Sequence, residues 1–268
     1  MLKDITLGQF FPGESLLHKA DPRTKLILTV FYIVLLFTSS NFLSYAFIGI
    51  FSLYLIYLSK IPLKIILSSL KPILFVLIFT FILNMFFTGG EDLIYSLGPV
   101  KLYSEGIIKA FVMAFRILLL ITTTCLFMSY TTSPIKLTDG IEQLFAPLKK
   151  IYLPVHEFAM MMTIALRFIP TLIDETDKIM NAQKTRGADF TEGGILKRAK
   201  ALVPILIPLF VSAFRRADEL AIAMECRCYR GGVGRTRMTK LSYTKSDLIL
   251  YLLFFTVLLL VIGSKFFF

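Results

Sequence analysis

What constrains this chain most is a set of long apolar runs without charge. The first, from Leu26 to Leu58, contains no Asp, Glu, Lys, Arg or His. As one helix it would be roughly 50 Å long, against a bilayer hydrocarbon core of about 30 Å. Ser39, Ser40 and Asn41 lie near its middle and favour a turn. The run therefore predicts a tight hairpin, with a first helix from about Thr24 to Thr38 and a second from about Phe42 to Ser59. Each arm is short for a span, so the pair thins the bilayer locally or borrows flanking residues.

A third apolar run, Pro72 to Phe87, follows a basic connector carrying Lys60, Pro62, Lys64 and Lys71, with Pro72 suited to a first helical turn. Gly89 and Gly90 end it, and Asn84 within it is expected to hydrogen-bond to a neighbouring helix. The segment Glu91 to Tyr103, with Gly98-Pro99, predicts a loop or short hairpin outside the bilayer. A fourth span runs from Ile107 to Tyr130. It holds Lys109 and Arg116, which are read as a snorkelling lysine and an arginine paired with a carbonyl; a functional role is the alternative. From Thr131 to Asp247 no apolar run reaches the roughly 18 residues of a span. Leu248 to Gly263 resumes the pattern as a fifth.

Composition agrees. Hydrophobic residues make up 56% of the 268, above the roughly 45–50% of soluble domains, and mean hydropathy is +0.74. A net charge of +11 suits either a nucleic-acid binder or a membrane protein with cytoplasmic Lys and Arg; the apolar runs favour the second. Lys3, Lys19, Arg23 and Lys25 precede the first span, and Lys60, Lys64 and Lys71 follow the second. Only Lys101 stands against Glu91, Asp92 and Glu105 after the third. The positive-inside rule then puts the N-terminus and the region 131–246 in the cytoplasm and the C-terminus outside. The expected fold is an all-α integral membrane protein: four spans within 1–130, a cytoplasmic region of long amphipathic helices at 131–246, and a fifth span within 247–268. Met1 to Arg23 has no apolar core, so no signal peptide is expected. Cys125, Cys226 and Cys228 make no disulfide framework and read as reduced cytosolic thiols.

Within the cytoplasmic region, apolar residues recur at three- and four-residue spacing over about 155–187 and again over about 208–230, predicting two long helices. Gly193-Gly194 and a short basic helix, Ile195 to Val203, lie between them. These helices carry more apolar surface than a two-helix hairpin hides. Phe158, Met160, Met161, Met162, Phe210 and Phe214 are candidates for facing another protein, methionine being suited to adaptable contacts. The competing reading is that they pack on the membrane helices. Arg186 and Arg227 each sit at the end of a predicted long helix between small residues, Thr185 and Gly187 in one case, Cys226 and Cys228 in the other. A cation there meets the helix dipole favourably. It is also a guanidinium free to enter a partner's groove and make forked hydrogen bonds.

The stretches Leu7-Gly8-Gln9, Pro12-Gly13-Glu14-Ser15 and Asp21-Pro22-Arg23-Thr24-Lys25-Leu26 resemble the opening of the transmembrane T components of energy-coupling factor (ECF) ABC transporters. Leu166-Arg167-Phe168-Ile169-Pro170, Asp174-Glu175, Ala182 to Gly187, Phe214-Arg215-Arg216-Ala217 and Ala223-Met224-Glu225 extend the resemblance over nearly the whole chain. It implies a coupling subunit holding two ABC-type ATPases and one small substrate-binding membrane subunit, for uptake of a vitamin or transition metal ion. In the family each of two coupling helices ends in a motif with a central arginine that docks in an ATPase; by position these are Arg186 and Arg227. Thr185, Cys226 and Cys228 depart from the commoner alanine, glycine or serine but remain small.

No G-x-x-x-x-G-K-[ST] phosphate loop is present, so the chain is not expected to bind ATP. Gly231-Gly232-Val233-Gly234 follows a helix and reads as a loop. His18, His156, Cys226 and Cys228 form no metal set, and no nucleophilic triad is visible. No catalysis or cofactor is expected. A solute permease acting through its own helices is the alternative, but spans one, two and five hold no ionisable midplane group and the halves show no repeat. A nucleic-acid binder fits poorly, because acids interleave with the bases of the cytoplasmic region.

Overall fold

The computed structural model describes residues 10–39, 41–89, 93–97, 100–147, 154–188, 194–231 and 241–267. Leu7-Gly8-Gln9, Ser40, Gly90 to Asp92, Gly98-Pro99, Gly193 and Gly232 to Gly234 lie outside them. The chain forms two compact units, one of residues 7–140 with 241–268 and the other of 141–240.

The first unit begins with a short turn of helix, α1 (Leu16–Lys19), and α2 (Pro22–Thr38). Pro22 sits at the first turn of α2, and the Asp21 carboxylate caps it by accepting the Arg23 N–H at 2.9 Å. α2 ends at Thr38 and α3 (Phe42–Ser59) begins four residues on, so the break between the two helices falls where the sequence places it. α4 (Leu63–Phe87), the hairpin β1 (Leu93–Leu97) and β2 (Val100–Tyr103), α5 (Ser104–Thr124) and a π-helical extension, Cys125–Tyr130, follow. α6 (Pro134–Phe145) crosses the unit boundary, and α9 (Lys245–Phe267) returns to the first unit. Tyr32, Leu36, Ile48, Leu55 and Phe127 form its fully buried centre. A side chain on Gly106 would come within 2.9 Å of the Thr88 carbonyl, so glycine is what lets α5 start against the end of α4.

Three expectations change here. α4 starts at Leu63, nine residues before Pro72, because Pro62 at φ −58° presets the N-cap; Pro72 lies inside the helix and removes one ladder hydrogen bond, that to Ser68. Asn84 donates to the Thr80 carbonyl at 2.8 Å, a bond within its own helix. The segment after α4 holds an antiparallel pair of strands, the short hairpin that was one of the two readings of this stretch. Finally, five described helices are long and apolar enough to cross a membrane, but the set differs from the one expected: Phe42–Ser59, Leu63–Phe87, Ser104–Tyr130, Val155–Thr185 and Lys245–Lys265. Pro22–Thr38 spans only about 26 Å, whereas Val155–Thr185 is long and concentrates its charges after Leu172. A spanning helix and a surface helix with a broad apolar face share those two attributes.

Lys109 pairs with Glu105 at 3.1 Å on an exposed face. Arg116 bonds the Tyr45 hydroxyl and donates to the Ser39 carbonyl at 3.3 Å, as the carbonyl-pairing reading requires. The starts of α2 and α9 are joined by a buried polar clamp. Asp247 Oδ1 accepts the Asp21 N–H at 2.8 Å, and its Oδ2 accepts the Thr244 N–H and hydroxyl at 2.7 and 2.9 Å. Arg23 pairs with Asp21 at 2.9 Å and reaches the Leu241 carbonyl. Lys25, fully buried, donates to the Thr131 carbonyl and the Thr132 hydroxyl, both at 2.9 Å, which ties in the end of the π-helical extension. These contacts satisfy polar groups that would otherwise be costly to bury.

In the second unit α7 (Val155–Thr185) runs through Pro170. α8 is one helix, Ile195–Cys226, and not a short basic helix followed by a second from Pro208. Pro204 and Pro208 lie inside it. Spaced four apart, they leave only the Lys200 and Pro204 carbonyls without their ladder donors, and the remaining bonds carry the helix on.

Candidate functional site

Both long helices of the second unit end in the same way. At the end of α7 the Ala188 N–H bonds the Gln183 carbonyl and the Gly187 N–H bonds the Lys184 carbonyl, both at 3.0 Å. At the end of α8 the Tyr229 N–H bonds Met224 at 3.0 Å and the Cys228 N–H bonds Glu225 at 2.8 Å. Each is a Schellman motif, which uses orphan carbonyls of the last turn and stops the helix sharply. Arg186 and Arg227 are the C-cap residues of the two motifs, with near-identical backbones: φ −85°, ψ 6° and φ −90°, ψ 14°.

The next residue must be left-handed. Gly187, at φ +88°, takes this conformation freely; Cys228 takes it at φ +55°, where a side chain costs about 1–2 kcal/mol. Thr185, Arg186 and Gly187 are all exposed, and so are Cys226, Arg227 and Cys228. Small neighbours leave each guanidinium unshadowed. The structure thus brings together, in two copies, the residue types singled out from the sequence.

The two tips point in opposite directions. Arg216 donates to Glu175 at 2.9 Å, and the Ser212 hydroxyl bonds the other Glu175 oxygen, tying α8 to α7. A side chain on Gly231, just beyond the α8 tip, would meet Glu157 near the start of α7. The helices are therefore antiparallel. Glu175 precedes Arg186 by eleven residues, and Arg216 precedes Arg227 by eleven. Each arm is about 16 Å of helix rise, so the tips stand on the order of 30 Å apart. That is about the width of a small domain, too far for one groove to take both arginines. Neither Glu175 nor Arg216 was given a role by sequence reasoning; the pairing is a contact across helices that periodicity along one helix does not encode. A further tie, His156 to Glu142 at 2.8 Å, fixes the start of α7 against α6.

Phe158, Met161, Met162, Phe210 and Phe214 are exposed and Met160 is partly buried. Phe210 and Phe214 lie one turn apart on α8, with Leu206, Ile207 and Val211 exposed beside them. This apolar surface is far larger than isolated exposed side chains account for, and marks a face that meets protein or lipid.

A family model described as "Cobalt transport protein" (CbiQ) matches residues 13–240. The energy-coupling factor transporter transmembrane protein EcfT of Ruminiclostridium cellulolyticum is 56% identical over 249 residues, covering 93% of this chain and 92% of that protein. The protein of the same name from Brevibacillus brevis is 50% identical over 263 residues, 98% of each chain. That of Bacillus subtilis is 47% identical over 247 residues, covering 92% of this chain and 93% of its own length.

Proposed function

Because the chain belongs to the family of energy-coupling factor transporter transmembrane proteins, a non-catalytic multi-pass component of a transporter, we propose that it couples two ABC-type ATPases to one small substrate-binding membrane subunit. The cargo is a vitamin or a transition metal ion, chosen by the small subunit. The observation that carries this reading is the pair of matched C-cap arginines, held on the order of 30 Å apart by an antiparallel tie. Two equivalent exposed cations at that separation suit two equivalent grooves on two copies of a partner. Guanidinium groups supply planar, forked donors to carboxylates or carbonyls there.

ATP binding closes the ATPase pair and draws its two grooves together. The tips follow, and α7 and α8 pivot about Glu175 and Arg216. The exposed apolar face around Phe210 and Phe214 then shifts under the substrate-binding subunit and tips it in the membrane. By linkage, engagement of that subunit also biases the ATPase state.

The proposed topology takes α2, α3, α4, α5 with its π-helical end, and α9 as the five spans, with α7 as a surface helix. The N-terminus and both tips are cytoplasmic and the C-terminus is outside. Supporting this, the starts of α2 and α9 and the end of α5 meet in one clamp, alongside Lys19, Arg23, Lys25 and Lys136. Purification from native membranes with identification of bound chains tests the reading. It predicts ATPase chains and one small membrane protein. Solute transport by this chain alone in vesicles would contradict it.

A further inference from the structure

We propose that Cys226 and Cys228 form a redox-sensitive dithiol at the α8 tip, and that a low-molecular-weight disulfide oxidises them to an internal disulfide that withdraws Arg227 from its docking geometry. The inference rests on the proposed docking role of Arg227. Both thiols are free and exposed, and they flank the arginine directly. The matching tip of α7 has no thiol: Thr185 and Gly187 occupy the corresponding places in an equivalent turn. At the left-handed position glycine is the unstrained choice, and α7 uses it; α8 holds a cysteine there at φ +55°. The α8 tip keeps a thiol where the backbone favours none.

The chemistry balances as thiol–disulfide exchange. One thiolate attacks a sulfur of the small disulfide, forming a mixed disulfide and releasing one small thiolate. The second cysteine, as thiolate, attacks the protein-bound sulfur, closing the Cys226–Cys228 bond and expelling the second small thiolate. Two protons pass from the cysteines to the two leaving thiolates, and the pair's two electrons reduce the oxidant. Residues two apart in a helical turn have Cα atoms about 5.4 Å apart, within the usual disulfide range of about 4.4–6.8 Å, but their Cβ atoms point to opposite sides of the helix, so the bond closes only as the last turn unwinds. Closure encloses the Arg227 backbone in a small ring. Its φ and ψ then depart from C-cap values, and the Cys228 and Tyr229 N–H bonds to Glu225 and Met224 are lost. A bond formed against the native turn is easily reduced, as regulatory disulfides are, and in a reducing cytosol it forms only under oxidative load.

The test uses the full chain with its membrane partner subunit, treated with glutathione disulfide before the ATPases are added. The expected result is a species lighter by two hydrogens with its crosslink mapped to Cys226 and Cys228, and a partial loss of ATPase association, matching that of Arg227→Glu, that dithiothreitol reverses. In a Cys226→Ser, Cys228→Ser double variant, ATPase association, whatever its level, should be the same with and without oxidant. Thiols that stay reduced overturn the proposal, and so does a disulfide that leaves association unchanged while Arg227→Glu lowers it. If neither the disulfide nor Arg227→Glu changes association, the docking reading fails along with the switch, and that second arm tells the two failures apart.

Discussion

Glu175 and Arg216 join α7 to α8 through a 2.9 Å ion pair placed eleven residues before Arg186 on one helix and eleven before Arg227 on the other. Because the helices are antiparallel, the pair is the midpoint between two tips that point apart. An arm on each side of one tie is the geometry of a pivot, and in the proposed coupling role that pivot separates holding the ATPases from transmitting their motion.

Glu175→Gln and Arg216→Gln should each keep both ATPases bound while reducing ATP-driven uptake. The pair is partly exposed, so its contribution to stability is small, about 0.2–1 kcal/mol, and the fold should survive. A Glu175→Arg, Arg216→Glu exchange should recover part of the lost uptake. Co-purification and uptake by the same preparations check this; loss of the ATPases in either single variant would show that the pair serves docking instead.

The two caps differ at the left-handed residue, Gly187 in one and Cys228 in the other, which makes their energetics testable. Cys228→Gly should relieve about 1 kcal/mol of left-handed strain and slow amide exchange in the last turn of α8. Gly187→Ala places a side chain at φ +88° with open space around it, so strain alone should raise exchange at the α7 tip by a similar free energy. Hydrogen exchange resolved to the two helix ends reads both effects.

Asp247→Ala removes three hydrogen bonds, to Asp21 N–H and to the Thr244 N–H and hydroxyl, and uncaps α9. The expected loss is about 2–3 kcal/mol, from an N-terminal cap and a buried donor left without its acceptor. Thermal unfolding in detergent should show it as a lowered midpoint, with Asp247→Asn intermediate.

Phe214→Asp puts a charge on the exposed apolar face of α8 without touching the Glu175–Arg216 pair or either cap. It should leave ATPase association intact and weaken binding of the small membrane subunit. Pull-down with each partner separately measures the difference, and equal binding of the small subunit by the variant would move that interface elsewhere.

Much of this molecule was legible in its sequence where the signal is local. The break between α2 and α3 stands in a charge-free run too long for one span, and Thr185-Arg186-Gly187 stands where apolar periodicity stops. Both are decided by neighbours a few residues away. The continuity of α8 was not legible, because Pro204 and Pro208 are read locally as breakers while the hydrogen bonds on either side of them outweigh the two that are lost. The clamp was hidden for another reason: Asp21 and Asp247 are 226 positions apart, and nothing in the Asp21–Leu26 motif names its partner. Likewise α7 passes for a span on length and apolarity, and only its place between two ends on one side of the proposed topology argues otherwise.

Whether two helix-end arginines hold the ATPases is read out by co-purification with the double variant Arg186→Glu, Arg227→Glu. The double variant should insert in the membrane and retain the small subunit but bring down neither ATPase, with each single variant losing part of the yield. Recovery of both ATPases at the level of the unaltered chain would contradict it.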